Sequence, residues 1–381
     1  MKTKKSALKI SLFSIIGVVC LALMVCAGYV LYVFTSYYRI EDNKVLEHKN
    51  PEISENISRG KIYKALTMNI GFGAYDDKFS FFMDTGYADA EGKVQIKGRQ
   101  SRATDKEHVL TNVSSIIKLI NGQDPDFILL QEVDEKSTRS YHVNEAELFR
   151  SSFADYAYTW AECFHSPYLF YPIREPHGKS TSGLMIFSEA SIDSSIRRSL
   201  PLSESRFANL FDLDRCLVMN RYKIEGSDKE FVMIDAHLSA YDEGGKVRKK
   251  QVDFIKEILS AEHEKENYVV MGGDFNQVLT PGGENRYVKP NGGEIVPDWV
   301  ASFDAEFEGY KIYGPLKGDD GAEFGTARNN TMAFDPNWTY TVTIDGFVAS
   351  DNIKVHDITI ITSHAFKYSD HNPVVLEFEL E

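Results

Sequence analysis

Apolar and polar residues along this chain fall into distinct patterns, and each pattern predicts an element. Lys2, Lys4, Lys5 and Lys9 precede an uncharged stretch of 29 residues from Ile10 to Tyr38. A helix needs roughly 20 apolar residues to cross a bilayer, whereas secretion signals carry apolar runs of roughly 7–15. The best cleavage-like triplet, Cys26-Ala27-Gly28, lies inside the run, and Val19 and Val25, not small residues, precede Cys20 and Cys26. Tyr29, Tyr32, Tyr37 and Tyr38 gather at the far end, as interfacial aromatics do, and the lysine cluster predicts a cytoplasmic N-terminus. The segment reads as a signal anchor. Residues 1–9 form a cytoplasmic basic tail, 10–38 a single transmembrane helix of the cell membrane, and the remainder is extracellular. Residues 39–59 are polar, contain Pro51 and show no period, so they read as a juxtamembrane linker to a domain of residues 60–381.

Within that domain short apolar runs dominate. Lys61–Ile70, Asp126–Glu132, Leu184–Phe187, Cys216–Ile224, Glu230–His237, Asn267–Gly272, Tyr340–Val348, Ile353–Thr362 and Val374–Leu380 read as strands. Helical spacing appears twice. Thr104-Asp105-Lys106-Glu107 has the form of a capping box, followed by Val109, Val113, Ile116, Ile117 and Ile120, and closed by Gly122 and Pro125. Lys246–His263 sets Val247, Phe254, Ile255, Ile258 and Leu259 on one side. Few helices beside many strands suit two packed sheets flanked by helices. The long connection Gly71–Arg102 carries Phe79, Phe81, Phe82 and Met83, which argue against disorder. Those rings either pack beneath the loop or sit at a rim facing lipid or the apolar part of a substrate. Residues 277–335, rich in Gly, Pro, Asn and Asp, give no readable pattern.

Polar residues stand where the apolar runs end. The motifs are Thr67-Met68-Asn69-Ile70, Leu130-Gln131-Glu132-Val133, Asp235-Ala236-His237-Leu238, Gly272-Gly273-Asp274-Phe275-Asn276, Ile344-Asp345-Gly346-Phe347 and Ser369-Asp370-His371-Asn372-Pro373. Carboxylates, carboxamides and histidines presented from strand ends suit a hard divalent cation and proton transfer at a phosphate. Asp274 and Asn276, two apart, share a face if extended geometry persists beyond the strand. No activated serine or cysteine nucleophile is evident. The run Pro176-His177-Gly178-Lys179-Ser180 before a strand either faces an anionic ligand through His177 and Lys179 or forms a solvated turn.

In this order the six motifs resemble the endonuclease/exonuclease/phosphatase superfamily of metal-dependent phosphoesterases, over roughly residues 60–381. The resemblance implies an α/β fold, a four-layer α/β/β/α sandwich of two mostly antiparallel sheets, and attack of water on a phosphoester assisted by Mg²⁺, with Mn²⁺ or Ca²⁺ as alternatives. It implies Glu132 as the dominant metal ligand, with Asn69 and Asp370 beside it. It puts Asp274 on the water or leaving group and Asn276 on the phosphate. His371 becomes the base or a phosphate contact, oriented by Asp345. His237 matches a second histidine, present in deoxyribonuclease-like and sphingomyelinase-like members and missing from apurinic ones, and Arg215 either matches a phosphate-contacting arginine of the deoxyribonuclease-like members or is a surface arginine at a strand start.

Charge then narrows the substrate. The chain carries a net −14, and setting aside the four early lysines takes it from −14 to −18. An acidic body repels polyanions and disfavours sequence-independent nucleic-acid binding. A lipid or head-group phosphoester suits the anchor, the aromatic loop and the acidity. An extracellular nuclease is the alternative, and a sugar or inositol phosphate follows. From another class, the domain would be an inactive binding module at the cell surface. No protein partner can be read from the chain. Of four cysteines only Cys163 and Cys216 lie in the domain, which is large enough to bury a core without staples, so both are expected as free thiols.

Overall fold

Alternation along the strands decides which residues meet. On Ile62–Asn69, Tyr63 and Ala65 point to one side and Leu66 and Met68 to the other. Phe127–Asp134 divides likewise, with Phe127 and Leu129 against Ile128 and Leu130. On Glu230–His237 and Tyr268–Asp274, Phe231, Met233, Tyr268 and Val270 share the same central core, while Val232, Ile234, Val269 and Met271 face away from it. Strands apolar on both faces must be covered on both. The computed structural model satisfies this with two seven-stranded sheets packed face to face and a helix layer outside each. It describes residues 2–52, 55–87, 95–203, 214–240, 246–283, 300–303, 305–322, 325–337 and 339–381, with side chains from residue 11.

One sheet runs Ile353–Ile360, Val374–Leu380, Ile62–Asn69, Phe127–Asp134, Gly178–Ser188, Ala157–Leu169 and His48–Lys49. The other runs Lys44–Val45, Ser194–Ser199, Cys216–Lys223, Glu230–His237, Tyr268–Asp274, Asp345–Ser350 and Tyr310–Tyr313. Each contains one parallel pair, Ile62–Asn69 with Phe127–Asp134 and Glu230–His237 with Tyr268–Asp274; the other pairings are antiparallel. Helices Lys106–Asn121 and Glu145–Ser152 cover the first sheet, and Lys246–His263 covers the second. The molecule is an α/β/β/α sandwich.

Several local expectations shift. The helix after residue 104 is capped by Asp105, whose carboxylate accepts from the His108 amide, so the box built on Thr104 does not form. The run Tyr340–Val348 is two strands, Thr341–Val342 and Asp345–Ser350, because the Thr326 hydroxyl accepts the amides of Ile344 and Asp345 and breaks the ladder. Residues 39–59, which read as a linker, are stitched to the domain. Arg39 pairs with Asp214 at 2.7 Å, Asp42 with Arg198 at 3.0 Å, and Lys44–Val45 and His48–Lys49 join opposite sheets. Cys163 and Cys216 are free, buried thiols, and Cys216 Sγ donates to the Glu162 carbonyl at 3.9 Å.

The long connection after the first strand divides its rings. Phe79 is buried against Tyr75, Phe81 packs partly onto the same cluster, and Phe82 and Met83 remain outside. Arg328 holds this loop in place by donating to the carbonyls of Asp76 and Phe79.

N-terminal to the sandwich stands the helix Lys2–Ser36, of which Ser11–Ser36 is long and apolar enough to cross a membrane.

Candidate active site

At one end of the inter-sheet layer the inward-facing residues change from apolar to polar. Above Ala65, Phe127, Leu129, Met233 and Val270 come Thr67, Gln131 and Asp235. The Gln131 amide donates to Thr67 Oγ1 at 3.1 Å and to Asp235 Oδ1 at 2.6 Å. Asp235 is wholly buried, and burial holds its pKa well above the usual carboxylate range.

One step further the register of three adjacent strands aligns His237, Asp274 and Asp345. Asp274 Oδ2 is the meeting point. Asn69 Nδ2 donates to it at 3.2 Å, His237 Nε2 lies 3.4 Å away and His371 Nε2 3.8 Å away. Both oxygens of Asp345 face His371 Nδ1, at 2.9 and 3.1 Å. Gly273, with φ +144°, brings this strand so close to the Ala236 backbone that no side chain would fit between them.

Glu132 reaches the same place by a different device. The pairing of Phe127–Asp134 with Gly178–Ser188 is in register to Leu130 and resumes at Val133, with Gln131 and Glu132 inside the irregularity. Glu132 takes φ +58°, a left-handed conformation rare for a residue with a Cβ. Asn69 Nδ2 donates to its carboxylate at 3.3 Å, so one carboxamide spans Glu132 and Asp274. Strain of this kind gathers at functional sites.

The loop before Val374–Leu380 completes the wall. Ser369 Oγ donates to the Asn69 carbonyl at 2.7 Å, and Asp370 accepts from Asn330 Nδ2 at 2.7 Å, with its other oxygen against Gly71. Arg215 is buried beside His237, and its Nε and Nη1 have no partner among the described residues. A buried guanidinium in that condition is a strong anion acceptor.

Electrostatics separate the two histidines. Burial opposes charging of His371, but the carboxylates of Asp345, Asp274 and Asp370 outweigh it and raise its pKa well above the ordinary imidazole value. Burial and the nearby positive charges of Arg215, His371 and Arg139 push His237 well below it. Burial and the Asp345 charge push Asp274 up to about 7, against the favourable effect of His371.

Asp274, Asp345 and His371 lie close enough to share a cation themselves. Asp345, however, spends both oxygens on His371, which makes the pair an oriented ion pair. Among the described residues the carboxylates of Glu132 and Asp370 accept only from neutral donors, the carboxamides of Asn69 and Asn330 and the Ser369 hydroxyl, and with the Asn69 carboxamide they offer hard oxygen donors. Donors of this kind suit a hard divalent cation.

Of the residues singled out in the sequence, Asn69, Glu132, His237, Asp274, Asp345 and His371 gather here, with Asp370 and Arg215 at the edge. Asn276 departs from the extended geometry expected of it. The strand ends at Asp274, whose Oδ1 accepts the Asn276 amide at 2.9 Å, and Asn276 sits in a turn at φ +50° donating to the Leu238 carbonyl. His177 is buried outside the cluster, its Nδ1 2.8 Å from the Ser101 carbonyl, and burial with the Arg139 charge pushes it down to about 4. Lys179 is exposed further along the hairpin. Sequence reasoning missed Asn330, which lies in an unpatterned tract. It also missed Arg139, whose guanidinium holds Asp134 at 2.8 and 3.0 Å and stacks 3.9 Å over Phe72 beside the site.

The endonuclease/exonuclease/phosphatase family model matches residues 66–371. Among solved structures the chain is similar to ANGEL2, described as a 2',3'-cyclic phosphatase, at 16% identity, with 89% of this chain and 99% of that one covered and a TM-score of 0.50. It is similar to the human nocturnin catalytic domain at 17% identity, 88% and 97% coverage and a TM-score of 0.48. For an endonuclease/exonuclease/phosphatase protein of Beutenbergia cavernae the values are 15%, 84%, 72% and 0.49. No sequence among curated proteins matches. The matched span takes in every residue gathered at the site, and the chain belongs to the endonuclease/exonuclease/phosphatase family of metal-dependent phosphoester hydrolases.

Proposed function

We propose that the protein is a membrane-anchored, outward-facing, Mg²⁺-dependent hydrolase of a phosphodiester or phosphomonoester carried by a lipid or its head group. The observation that carries the catalytic part is the convergence of Asn69, Glu132, His237, Asp274, Asp345 and His371 at one end of the inter-sheet layer. The anchor rests on Ser11–Ser36 and the lysines before it. The lipid substrate rests on that helix and on the acidic body.

Glu132, Asn69 and Asp370 would hold the cation, which supplies Lewis-acid polarisation of a phosphoryl oxygen when bound. Asp274, pushed up to about 7, accepts a proton from water near neutral pH at Oδ2. His371, kept protonated by Asp345, donates from Nε2 to a phosphate oxygen. His237 stays neutral and donates a hydrogen bond without adding charge. Arg215 offers its two unpartnered nitrogens to the phosphate as negative charge builds. Asn276, whose Nδ2 donates to the Leu238 carbonyl, fixes the turn after Asp274 and acts on the phosphate only by positioning that carboxylate. His177 buttresses the rim, and Lys179 stands outside the contact set.

The test is phosphate release on a panel of lipid, nucleic-acid and sugar phosphoesters, each with and without chelator. Chelator-sensitive turnover greatest on a lipid phosphoester supports the reading. Turnover greatest on nucleic acid replaces the substrate, and no turnover on any class favours a binding module.

A further inference from the structure

Where the anchor helix meets the sandwich, it meets one hairpin. The Tyr29 hydroxyl donates to the Tyr168 carbonyl at 3.1 Å, the Tyr168 amide donates to the Tyr32 hydroxyl at 3.1 Å, and the Tyr29 ring lies 5.2 Å from Phe170. Val33, the next turn along, is buried. Beyond Tyr168, at the tip joining Ala157–Leu169 to Gly178–Ser188, Phe170, Tyr171 and Ile173 are 57, 63 and 87% exposed, with Arg174 exposed beside them. Large apolar side chains on a hairpin tip, without a core beneath them, call for a covering surface.

Helix length fixes what lies at that level. Tyr29 lies 18 positions beyond Ser11, roughly 27 Å along a helix at about 1.5 Å per residue, close to the ~30 Å hydrocarbon thickness of a bilayer. With the lysines at the inner surface, Tyr29 reaches the outer boundary, where Tyr168 and Phe170 meet it. Tyrosine and tryptophan rings favour that boundary, and an exposed arginine beside apolar groups suits the head-group layer.

We infer that this hairpin tip is a second membrane contact, with Phe170, Tyr171 and Ile173 seated in the outer interfacial layer beside the anchor. The inference rests on the helix spanning the membrane. Two contacts fix the orientation of the domain, where a helix alone would leave it free to swivel. The orientation is a functional one. Phe82 lies 5.7 Å from Tyr171 and 6.4 Å from His177, and His177 lies 6.5 Å from Phe72, which follows Gly71 against Asp370. A line of rings therefore leads from the bilayer contact to Gly71 and Asp370 at the edge of the catalytic site. Ser101 braces the returning strand, bonding both the carbonyl and the carboxylate of Glu175.

The full chain would be reconstituted in phosphatidylcholine vesicles containing a lipid with a photoactivatable diazirine high in its acyl chain, and labelled peptides mapped. Peptides from residues 11–36 and from 168–175 are both expected to carry label. The double change Phe170→Ser with Ile173→Ser should cut tip labelling about tenfold or more, from the loss of apolar burial. Anchor labelling, melting temperature and turnover of a water-soluble phosphoester should stay unchanged. If the double change lowers the melting temperature, Ile173→Ser alone, at the most exposed of the three positions, replaces it. A labelled anchor with an unlabelled tip overturns this inference alone, as does tip labelling that survives the substitutions. Label on neither segment overturns the spanning reading and this inference with it.

Discussion

Asp345 and His371 are each legible in the sequence as a polar residue beside an apolar run, but their value lies in the contact between them. With both Asp345 oxygens within 3.1 Å of Nδ1, either substitution should abolish the same protonated, oriented imidazole. Asp345→Asn and His371→Gln are expected to lower kcat/KM by at least about 100-fold each, and the double variant by little more than the worse single. Strictly multiplicative losses would remove the coupled pair. His177 behaves differently, because its burial is structural. Its pKa of about 4 in the fold lies below the unfolded value of about 6.5, so between those values the unfolded chain binds more protons. This residue's contribution to stability is therefore complete above pH 6.5 and is lost as pH falls toward 4. Denaturant titrations across that window should show the slope shrink in His177→Asn. These residue types were visible in advance, but the partners of Arg139 and Asn330 were not. Both act on residues brought near by loops, and neither interrupts a periodic pattern.

At the scale of elements, strands with strong apolar runs were legible nearly to the residue, as Glu230–His237 and Val374–Leu380 show, and so was the helix Lys246–His263. Ala157–Leu169 and most of Gly178–Ser188 were not. Their buried positions include Ser166, Ser180 and Ser182, polar residues that occupy interior space near a polar site and so erase the alternation. The bulge that turns Glu132 was equally hidden, since nothing in Leu130-Gln131-Glu132-Val133 announces a positive φ. The close approach of Tyr268–Asp274 to Glu230–His237 at Gly273 does make a prediction. Gly273→Ala would set a Cβ against the Ala236 carbonyl in a backbone conformation that disfavours one, and should cost about 2–4 kcal/mol. The check is a denaturation midpoint, together with loss of turnover at a temperature where the variant remains folded. A midpoint near the wild-type value would mean the two strands can separate without consequence.

For the whole molecule, the polar end of the inter-sheet layer, the loop Gly71–Arg102 and the hairpin against the anchor lie along one connected path. Protease added to intact cells should remove the domain and leave an anchor fragment, and protection until lysis would reverse the orientation. The central claim is that phosphoester hydrolysis here depends on a divalent cation held at Glu132. The most direct measurement is turnover of a phosphoester by the chelator-treated full chain on stepwise return of Mg²⁺, compared with Glu132→Gln, which keeps the shape of the side chain and removes its charge. Wild-type activity should vanish in chelator and return with Mg²⁺. Glu132→Gln, folded by its melting temperature, should stay at least about 100-fold lower at every Mg²⁺ concentration. Full activity in chelator, or a variant as fast as the wild type, would contradict it.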